Sequence, residues 1–158
     1  MKKIVNTALV LLLLLPTAAT AAPLDGMPPV LDPSNIYSAN TPNNLSDAVK
    51  GVRELVYVPN YQSATVSVID PKTYKIIKTL KTKAGPQHVV PSWDLKTLWV
   101  NDNKGNYLTP IDPKTVTAGK DIYVHDPYNL YFTPNGKYAV VMAESDKQIV
   151  FATRRQWR

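Results

Sequence analysis

Two histidines are the side chains of this sequence whose type could support metal or cofactor chemistry. His88 could bind a metal or a haem iron, because a neutral imidazole nitrogen is a ligand for both. The alternative is a loop histidine that makes a hydrogen bond to the backbone, since Asn129 stands at the equivalent position further along the chain. His125 precedes Asp126-Pro127 and is expected at a turn. No His-His or His-carboxylate spacing typical of a zinc site is present, so the sequence predicts no metal site.

Two aspartates share one repeated motif, which predicts a structural role for both. The motif is Ile69-Asp70-Pro71-Lys72-Thr73, and it recurs as Ile111-Asp112-Pro113-Lys114-Thr115. An acid–base pair is one interpretation of the two aspartates. Asp followed by Pro is also typical of a type I turn, in which the Asp side chain caps the backbone and the proline presets φ. Their common place in the motif favours the turn.

The loop from Asn101 to Asn106 is similar to a calcium-binding loop. The EF-hand pattern needs Gly at its sixth position and Glu at its twelfth. Here Gly105 is the fifth residue and Asp112 the twelfth, so a hairpin turn is expected. The chain also lacks a nucleophile elbow, a Ser-His-Asp order and a phosphate-binding glycine loop. The sequence therefore predicts no catalytic residues and favours a protein that is not an enzyme.

The elements that carry these residues repeat along the chain. The Asp-Pro-Lys-Thr motif recurs after 42 residues, and a third copy of the repeat, without this motif, begins near Lys137. Short apolar or alternating runs between turn residues predict three or four strands per repeat. A period in the forties is typical of a propeller blade. We therefore predict an all-β fold, an incomplete β-propeller of about two and a half blades built from short antiparallel sheets, with repeats at 55–96, 97–137 and 138–158.

The segment before the repeats divides into a targeting sequence and a lead-in. Lys2 and Lys3, the apolar run from Ile4 to Leu15 and the small residues that follow predict a signal peptide over 1–21. The apolar run is shorter than the roughly 20 residues of a membrane span. We expect a periplasmic or secreted protein with no membrane span after signal cleavage. Residues 22–54 are rich in Pro and Asn and predict an extended lead-in that lies on the repeats.

Composition excludes several classes of site and partner. The chain has no Cys, which rules out disulfides, thiolate metal sites and covalently attached haem. Its formal net charge is +6, but the basic residues are scattered singly and do not cluster with aromatic residues. Scattered charge is typical of a solvated surface, so we expect no nucleic-acid partner.

Several stretches carry a family resemblance. Leu55 to Asn60, Thr65 to Asp70 and Ser92 to Lys96 resemble the YVTN-type β-propeller repeat. Over roughly Leu31 to Phe151 the chain is similar to secreted bacterial propellers that are related to the haem-carrying propeller of nitrite reductases. The resemblance implies a closed ring of about seven blades and makes haem a possible cofactor. It implies no particular activity, because propellers of this type serve many roles.

A chain with so few blades is expected to leave sheet faces uncovered. Closed propellers have about four to eight blades, so the resemblance implies that further blades are missing from this chain. We expect apolar residues on or near the uncovered sheets, and aggregation or oligomerisation of residues 22–158 on their own. The residues expected there are Val66, Val68, Leu98, Trp99, Val140 and Val141. The tryptophans are expected to pack between blades, namely Trp93, Trp99 and Trp157.

Two hypotheses for function follow. The first is an exported β-propeller repeat protein that acts as a non-catalytic scaffold for an unknown small molecule or periplasmic protein. The second is a periplasmic redox protein that binds a non-covalent haem or a quinone-type cofactor. His88 is the single residue that the sequence offers as a cofactor ligand in the second case. Nothing in the sequence requires a cofactor, and haem enters through the resemblance alone.

Overall fold

The structure is a computed structural model that describes residues 24–153, and this part of the chain is built almost entirely of strands. Single-turn 3-10 helices occur at Asp47–Val49 and Asn103–Gly105. The strands in chain order are β1 Val56–Asn60, β2 Thr65–Asp70, β3 Lys75–Lys81, β4 Pro86–Pro91, β5 Leu98–Asp102, β6 Tyr107–Asp112, β7 Thr117–Ala118, β8 Ile122–Tyr123, β9 Pro127–Phe132, β10 Tyr138–Ala143 and β11 Gln148–Thr153. The all-β prediction is confirmed.

The strands form three antiparallel sheets that follow one another along the chain. Sheet 1 has the order β1-β2-β3, and sheet 3 has the order β11-β10-β9. Sheet 2 has the order β4-β5-β6-β7, with β8 also paired to β6. Each sheet takes its strands from neighbouring hairpins, which is the arrangement of propeller blades. The sheets are offset from the sequence repeats by one strand, because β4 lies in the first repeat but pairs with β5.

The turns between β2 and β3 and between β6 and β7 have the geometry that the motif predicts. Asp70 Oδ1 accepts a hydrogen bond from the backbone N–H of Lys72 at 2.9 Å. Asp112 Oδ1 accepts one from the backbone N–H of Lys114 at 2.7 Å. Each aspartate thus holds its turn through the backbone two residues on, which is the pattern of an Asx turn. Both carboxylates therefore have a structural role.

Two strands include residues that are typical of turns. Pro59 and Asn60 belong to β1, although Pro and Asn are common turn residues. A proline is tolerated there because β1 is an edge strand, so a missing N–H need not break a ladder bond. Asp102 likewise belongs to β5 and not to the loop between β5 and β6.

Two apolar layers hold the three sheets together. The layer between sheets 1 and 2 contains buried residues of both, namely Val66, Val68, Leu80, Val100, Ile111 and Val116. The layer between sheets 2 and 3 contains Leu108, Leu130, Ala139 and Val141. Sheet 2 is thus covered on both faces, while sheets 1 and 3 each contribute one face to a layer. Alternation along a strand sends successive side chains to opposite faces, so each layer draws on every second residue.

The outer faces of sheets 1 and 3 are exposed, and of the residues expected on uncovered sheet Val140 lies on the outer face of sheet 3, paired with Phe151. Val66, Val68 and Val141 are buried against sheet 2 and not exposed. The exposed apolar residues lie on the opposite faces of the same sheets, for example Val56 at 46% on β1 and Phe151 at 59% on β11. The expectation was wrong for the three valines because the sequence shows the two faces of a strand but not which of them meets the neighbouring sheet.

The tryptophans differ in their packing. Trp99 packs against the layer between sheets 2 and 3. Trp93 is 47% exposed, and its Nε1 donates a hydrogen bond to the carbonyl oxygen of Pro134 at 2.8 Å. Its ring covers the turn at Gly136, where a Cβ would come within 2.6 Å of Trp93 Cδ2. Trp157 lies outside the described residues, as does the predicted signal peptide at 1–21.

The lead-in contacts the sheets at two places. Asp25 Oδ2 accepts a hydrogen bond from Asn135 Nδ2 at 3.0 Å and lies 3.6 Å from Lys137 Nζ. Further along, Val49 and the residues from Val52 to Leu55 line a cavity beside sheets 1 and 2. Within residues 24–153, no helix is long and apolar enough to cross a membrane.

Candidate functional site

The first strands of sheets 2 and 3 lie side by side and bring polar residues together. β4 carries Gln87 and His88, and β9 carries Tyr128 and Asn129, all of them half-buried. When the two repeats are aligned, Gln87 corresponds to Tyr128 and His88 corresponds to Asn129. In a propeller the first strand of each blade lines the central channel. We call this pair of strands the inner edge.

His88 is held at the inner edge by a neighbouring backbone group. Its Nδ1 lies 2.9 Å from the carbonyl oxygen of Tyr128, and the two rings meet edge to face with centroids 5.5 Å apart. A carbonyl oxygen only accepts, so this contact is a hydrogen bond when Nδ1 carries the proton. The neutral ring then has its lone pair on Nε2. This is the tautomer that a histidine ligand of a metal or haem needs. The hydrogen bond to Tyr128 is by itself also a sufficient structural role for His88.

Asn101 makes the same cross-sheet contact from the next strand. Its Nδ2 donates to the carbonyl oxygen of Tyr128 at 3.1 Å. One carbonyl oxygen of β9 thus lies within hydrogen-bond distance of two side chains of sheet 2, one from β4 and one from β5. A carbonyl has two lone pairs and can accept both. The sheets are therefore joined at the inner edge by hydrogen bonds as well as by apolar packing.

A buried carboxyl group lies at the end of β5, on the face of sheet 2 that meets sheet 1. Asp102 has no exposed surface. Thr109 of β6 is 1% exposed, and its Oγ1 lies 2.6 Å from Asp102 Oδ2. The same Oγ1 lies 2.7 Å from Asp121 Oδ1, and Asp121 Oδ2 lies 3.2 Å from Lys83 Nζ. We call these four residues the Asp102 cluster.

Thr109 has a single hydroxyl proton for two neighbouring carboxyl groups, and this determines whether both of them can be ionised. With both carboxyl groups ionised, Thr109 could donate its hydrogen to only one of them. In the other short contact two hydrogen-bond acceptors would face each other with no hydrogen between them. With a proton on Asp102, its O–H donates to Thr109 Oγ1, and Thr109 donates to Asp121. Asp121 then accepts this hydrogen bond and lies 3.2 Å from Lys83 Nζ. Both short distances are then hydrogen bonds.

The surroundings of Asp102 favour the same assignment. Burial raises the pKa of Asp102 from 3.8 to about 6, against the opposing effect of hydrogen bonds from Thr109, Lys83 and Thr82, and the nearby charge of Asp121 raises this pKa further. Desolvation disfavours the ionised form because it removes the water that stabilises the charge. Perturbed carboxyl groups are common at functional sites. Asp102 itself has no exposed surface, so it is a buried carboxyl group that holds a proton when the pH is below about 6.

Asp126 joins three loops at one end of the sheets. Its carboxylate is 4% exposed and accepts from Asn103 Nδ2 and from the backbone N–H of Ser145, each at 2.5 Å. Its own backbone N–H donates to Asn106 Oδ1 at 2.8 Å. These contacts connect the β5–β6 loop, the residue before β9 and the β10–β11 turn. Charge-assisted hydrogen bonds of this kind fix loop geometry without chemistry.

The cavity beside the lead-in is small and mostly apolar. Its volume is about 260 Å³, and Val49, Val52 and Leu98 are among the residues that line it. Tyr57 also lines it, and its hydroxyl oxygen is buried without a hydrogen-bond partner among residues 24–153. Burial raises the pKa of Tyr57. The cavity marks where the lead-in meets the sheets.

The remaining sequence candidates fall at separate places. His125 lies before β9, where its Nε2 is 2.9 Å from Asp146 Oδ2, and both side chains are exposed. The Asn101 to Asn106 loop is a hairpin with a 3-10 turn, and Asn106 has a left-handed backbone at φ 61°. In residues 24–153 no cluster of three or more His, Cys, Asp or Glu side chains is arranged to hold a metal ion.

Sequence analysis missed the pairing of Asp102 with Thr109, although the repeat contains a signal for it. The equivalent residues 42 positions earlier are Asn60 and Ser67, and Asn60 Nδ2 donates to Ser67 Oγ at 2.9 Å. A polar pair thus stands at the same place in sheets 1 and 2. The third repeat has Ala143 in place of the aspartate. Comparing polar positions between repeats would have found the pair.

Comparisons with known proteins agree with this architecture. A family model for the YNCE-like beta-propeller matches residues 15–155. The YncE protein of Salmonella typhi is 40% identical over 60 residues, which is 38% of this chain and 17% of that protein. The YncE protein of Salmonella typhimurium (strain LT2) aligns to the same extent, 40% over 60 residues. The alignment therefore spans about a sixth of the length of these curated relatives, at 17%.

Two solved structures have similar backbones. Kuenenia stuttgartiensis hydrazine synthase is 19% identical, with 61% of this chain and 31% of that chain covered and a TM-score of 0.50. The dihydro-heme d1 dehydrogenase NirN, in complex with DHE, is 14% identical, with 72% and 24% covered and a TM-score of 0.51. At these identities the likeness concerns the fold alone. Because the family model covers most of the sequence and the three stacked sheets have the form of blades, the chain belongs to the YNCE-like β-propeller family.

Proposed function

We propose that this chain is part of an exported β-propeller that binds a small polar ligand or a segment of a periplasmic protein at the inner edge, without catalysis. The observation that carries the proposal is the pairing of β4 and β9. They present Gln87 and Asn129, which offer both donors and acceptors, beside the aromatic ring of Tyr128. A few polar groups beside an aromatic ring are typical of ligand sites.

The structural roles of four aspartates support binding over catalysis. Asp70 and Asp112 hold turns, and Asp126 ties three loops together. Asp102 is enclosed between sheets 1 and 2. Each of these carboxyl groups is engaged in the framework of the fold. The half-buried residues of the inner edge are therefore the polar groups best placed to meet a ligand.

Thermal shift measurements with a defined panel of amino acids, sugars and short peptides test this proposal. We expect at least one compound to raise the melting temperature of the full chain, because a ligand that binds the native state stabilises it. The shift should be lost in Gln87→Ala and Asn129→Ala. It should remain in Lys72→Ala, which changes an exposed residue of the turn between β2 and β3, in sheet 1 and outside the inner edge. A shift that survives in both inner-edge variants would place the binding elsewhere and contradict the proposal.

A redox function with a non-covalent haem is the second candidate. The observation in its favour is the 2.9 Å contact between His88 Nδ1 and the carbonyl oxygen of Tyr128, because a neutral ring that donates there has its lone pair on Nε2. Haem would supply electron transfer when bound, and His88 would hold its iron. Adding haemin to the full chain and recording the absorption spectrum tests this function. A Soret band that shifts on binding and is lost in His88→Ala would favour it, and an unshifted haemin spectrum would exclude it.

A further inference from the structure

The cavity beside the lead-in lies at a place that a tryptophan side chain occupies elsewhere in the chain. Where sheets 2 and 3 meet, the indole ring of Trp93 lies on the turn at Gly136, and its Nε1 donates to the carbonyl oxygen of Pro134 at 2.8 Å. The residue 42 positions before Trp93 is Gly51, and the residue 41 positions before Gly136 is Leu95. Leu95 lines the cavity, where the lead-in meets sheets 1 and 2. The cavity is therefore at the place in the first pair of sheets that an indole ring fills in the second pair.

The differences between the repeats explain why this place is open. Gly51 has no side chain, and a Cβ built on it would meet no other atom within 4 Å. Two further residues of the cavity wall are smaller than their equivalents in the next repeat, Tyr57 in place of Trp99 and Pro91 in place of Phe132. Two others are larger than theirs and recover part of this volume, Leu95 in place of Gly136 and Leu98 in place of Ala139. The volume that remains is about 260 Å³.

The size and the lining of the cavity favour a neutral ring system. An apolar cavity of about 150 Å³ is large enough to bind benzene, so the present cavity has room for a ring system the size of indole. Its charged lining residues are Arg53 and Glu54, whose formal charges cancel. A guanidinium group such as that of Arg53 stacks on the face of an aromatic ring, which adds to the apolar contact.

We propose that this cavity binds a small, neutral, planar aromatic molecule about the size of indole, whose ring lies on Leu95 between the lead-in and the two sheets. Trp93 is 47% exposed at the equivalent place, so a ring held there remains in contact with solvent and can enter from solution. The cavity wall belongs to the lead-in, sheet 1 and sheet 2. It includes none of the polar residues of the inner edge, which are Gln87, His88, Tyr128 and Asn129.

Titration calorimetry of the full chain with indole tests the proposal. We expect saturable binding of one indole per chain. Val52 lines the cavity, so Val52→Trp places a covalently attached indole there. This variant should bind indole at least about tenfold more weakly, because the new side chain and the ligand need the same space. The matched control is Val30→Trp in the lead-in, where Val30 is 67% exposed, and its affinity should stay within about twofold of wild type.

A pair of probes tests the preference for an aromatic ring. Phenol and cyclohexanol have the same carbon ring size and the same hydroxyl group, but phenol alone is planar and aromatic. Phenol should bind at least about threefold more tightly, because an aromatic face alone can stack on the guanidinium group of Arg53. The proposal is overturned if indole shows no saturable binding, if Val52→Trp binds indole as wild type does, or if cyclohexanol binds as tightly as phenol.

Folding of the variants is checked by circular dichroism. If Val52→Trp loses its β-sheet spectrum, Pro91→Phe takes its place. Pro91 lines the same cavity, and Phe132 at the equivalent position packs against the layer between sheets 2 and 3, so the repeat already accommodates this side chain. Undiminished indole binding by a folded Pro91→Phe variant contradicts the proposal. Failure of indole to bind leaves the ligand-binding proposal for the inner edge unaffected, because that proposal rests on other residues.

Discussion

At the scale of single residues, the most informative group is the carboxyl of Asp102. It is enclosed between two sheets, and Thr109 can donate only one hydrogen to the two carboxyl groups beside it. The proton that satisfies both contacts sits on Asp102 at acidic pH. The native state therefore binds a proton that the unfolded chain, whose aspartates are solvated, has already lost. This links the stability of the protein to pH.

Stability is expected to fall as the pH rises through the pKa of Asp102. The folded pKa is raised from 3.8 to about 6, so the stabilising proton is fully present below about pH 4 and lost as the pH passes 6. The loss amounts to on the order of 3 kcal/mol at 1.36 kcal/mol per unit. Asp102→Asn stays neutral and can still donate to Thr109. Urea unfolding at pH 4 and pH 7.5 should show equal stability at pH 4 and a more stable variant at pH 7.5. Equal stability at both values would show that Asp102 holds no extra proton.

The turn caps give a second prediction at this scale. Asp70→Ala removes the acceptor of the Lys72 backbone N–H, while Pro71 still presets φ. We expect a cost of about 0.5–1.5 kcal/mol, the usual net value of one hydrogen bond. Lys72→Ala is the matched control, because it keeps the backbone N–H and changes only an exposed side chain. Chemical denaturation compares the two, and equal midpoints would mean that the side chain of Asp70 does not hold the turn.

At the scale of elements, sheet 2 determines how the three sheets fit together. Its strands alternate between one face that meets sheet 1 and another that meets sheet 3. Val100 and Ile111 belong to the first layer, and Leu108 belongs to the second. Sheets 1 and 3 have only one such neighbour within the described residues. Sheet 2 is therefore expected to be the most stable element.

Leu108→Ala should be strongly destabilising. The side chain has no exposed surface and lies in the layer between sheets 2 and 3. Removing it leaves a cavity in a packed layer, and such changes cost about 2–5 kcal/mol. Leu45→Ala makes the same chemical change at a residue that is 73% exposed, and it should cost less than about 0.5 kcal/mol. Thermal melts measure both. A small loss for Leu108→Ala would mean that the two sheets do not pack tightly at this point.

At the scale of the whole molecule, the chain is a row of sheets in which each contacts its neighbours. The two apolar layers share no residue. The polar links follow the same order, since His88 and Asn101 of sheet 2 both reach Tyr128 of sheet 3. The stability of such a row is approximately the sum of the stabilities of the single sheets and of the contacts between neighbouring sheets.

Substitutions in different layers are therefore expected to be additive. Val66→Ala weakens the layer between sheets 1 and 2, and Val141→Ala weakens the layer between sheets 2 and 3. Their free energies of unfolding should sum in the double variant to within about 0.5 kcal/mol, because the two residues share no contact. The pair Val66→Ala and Val100→Ala, within one layer, serves as the coupled control. A large interaction energy between Val66 and Val141 would contradict independent layers.

The sequence by itself determined the local features of this protein. The Asp-Pro-Lys-Thr repeat gives the period, and the short runs between turn residues give the strands, because turn chemistry and side-chain alternation act within a few residues. Asp70 and Asp112 are turn residues for this reason. The propeller architecture also follows from the repeat, since self-similarity at this period is a property of the sequence alone.

The tertiary structure decided which face of each strand is buried and which groups are perturbed. Val66 and Val68 are buried and Val56 and Val58 exposed because sheet 2 covers one face of sheet 1, and no pattern within a strand reveals which face that is. The pKa of Asp102 is raised chiefly because the folded chain buries its carboxyl group. Desolvation depends on atoms that are distant in sequence, so only the folded chain sets it.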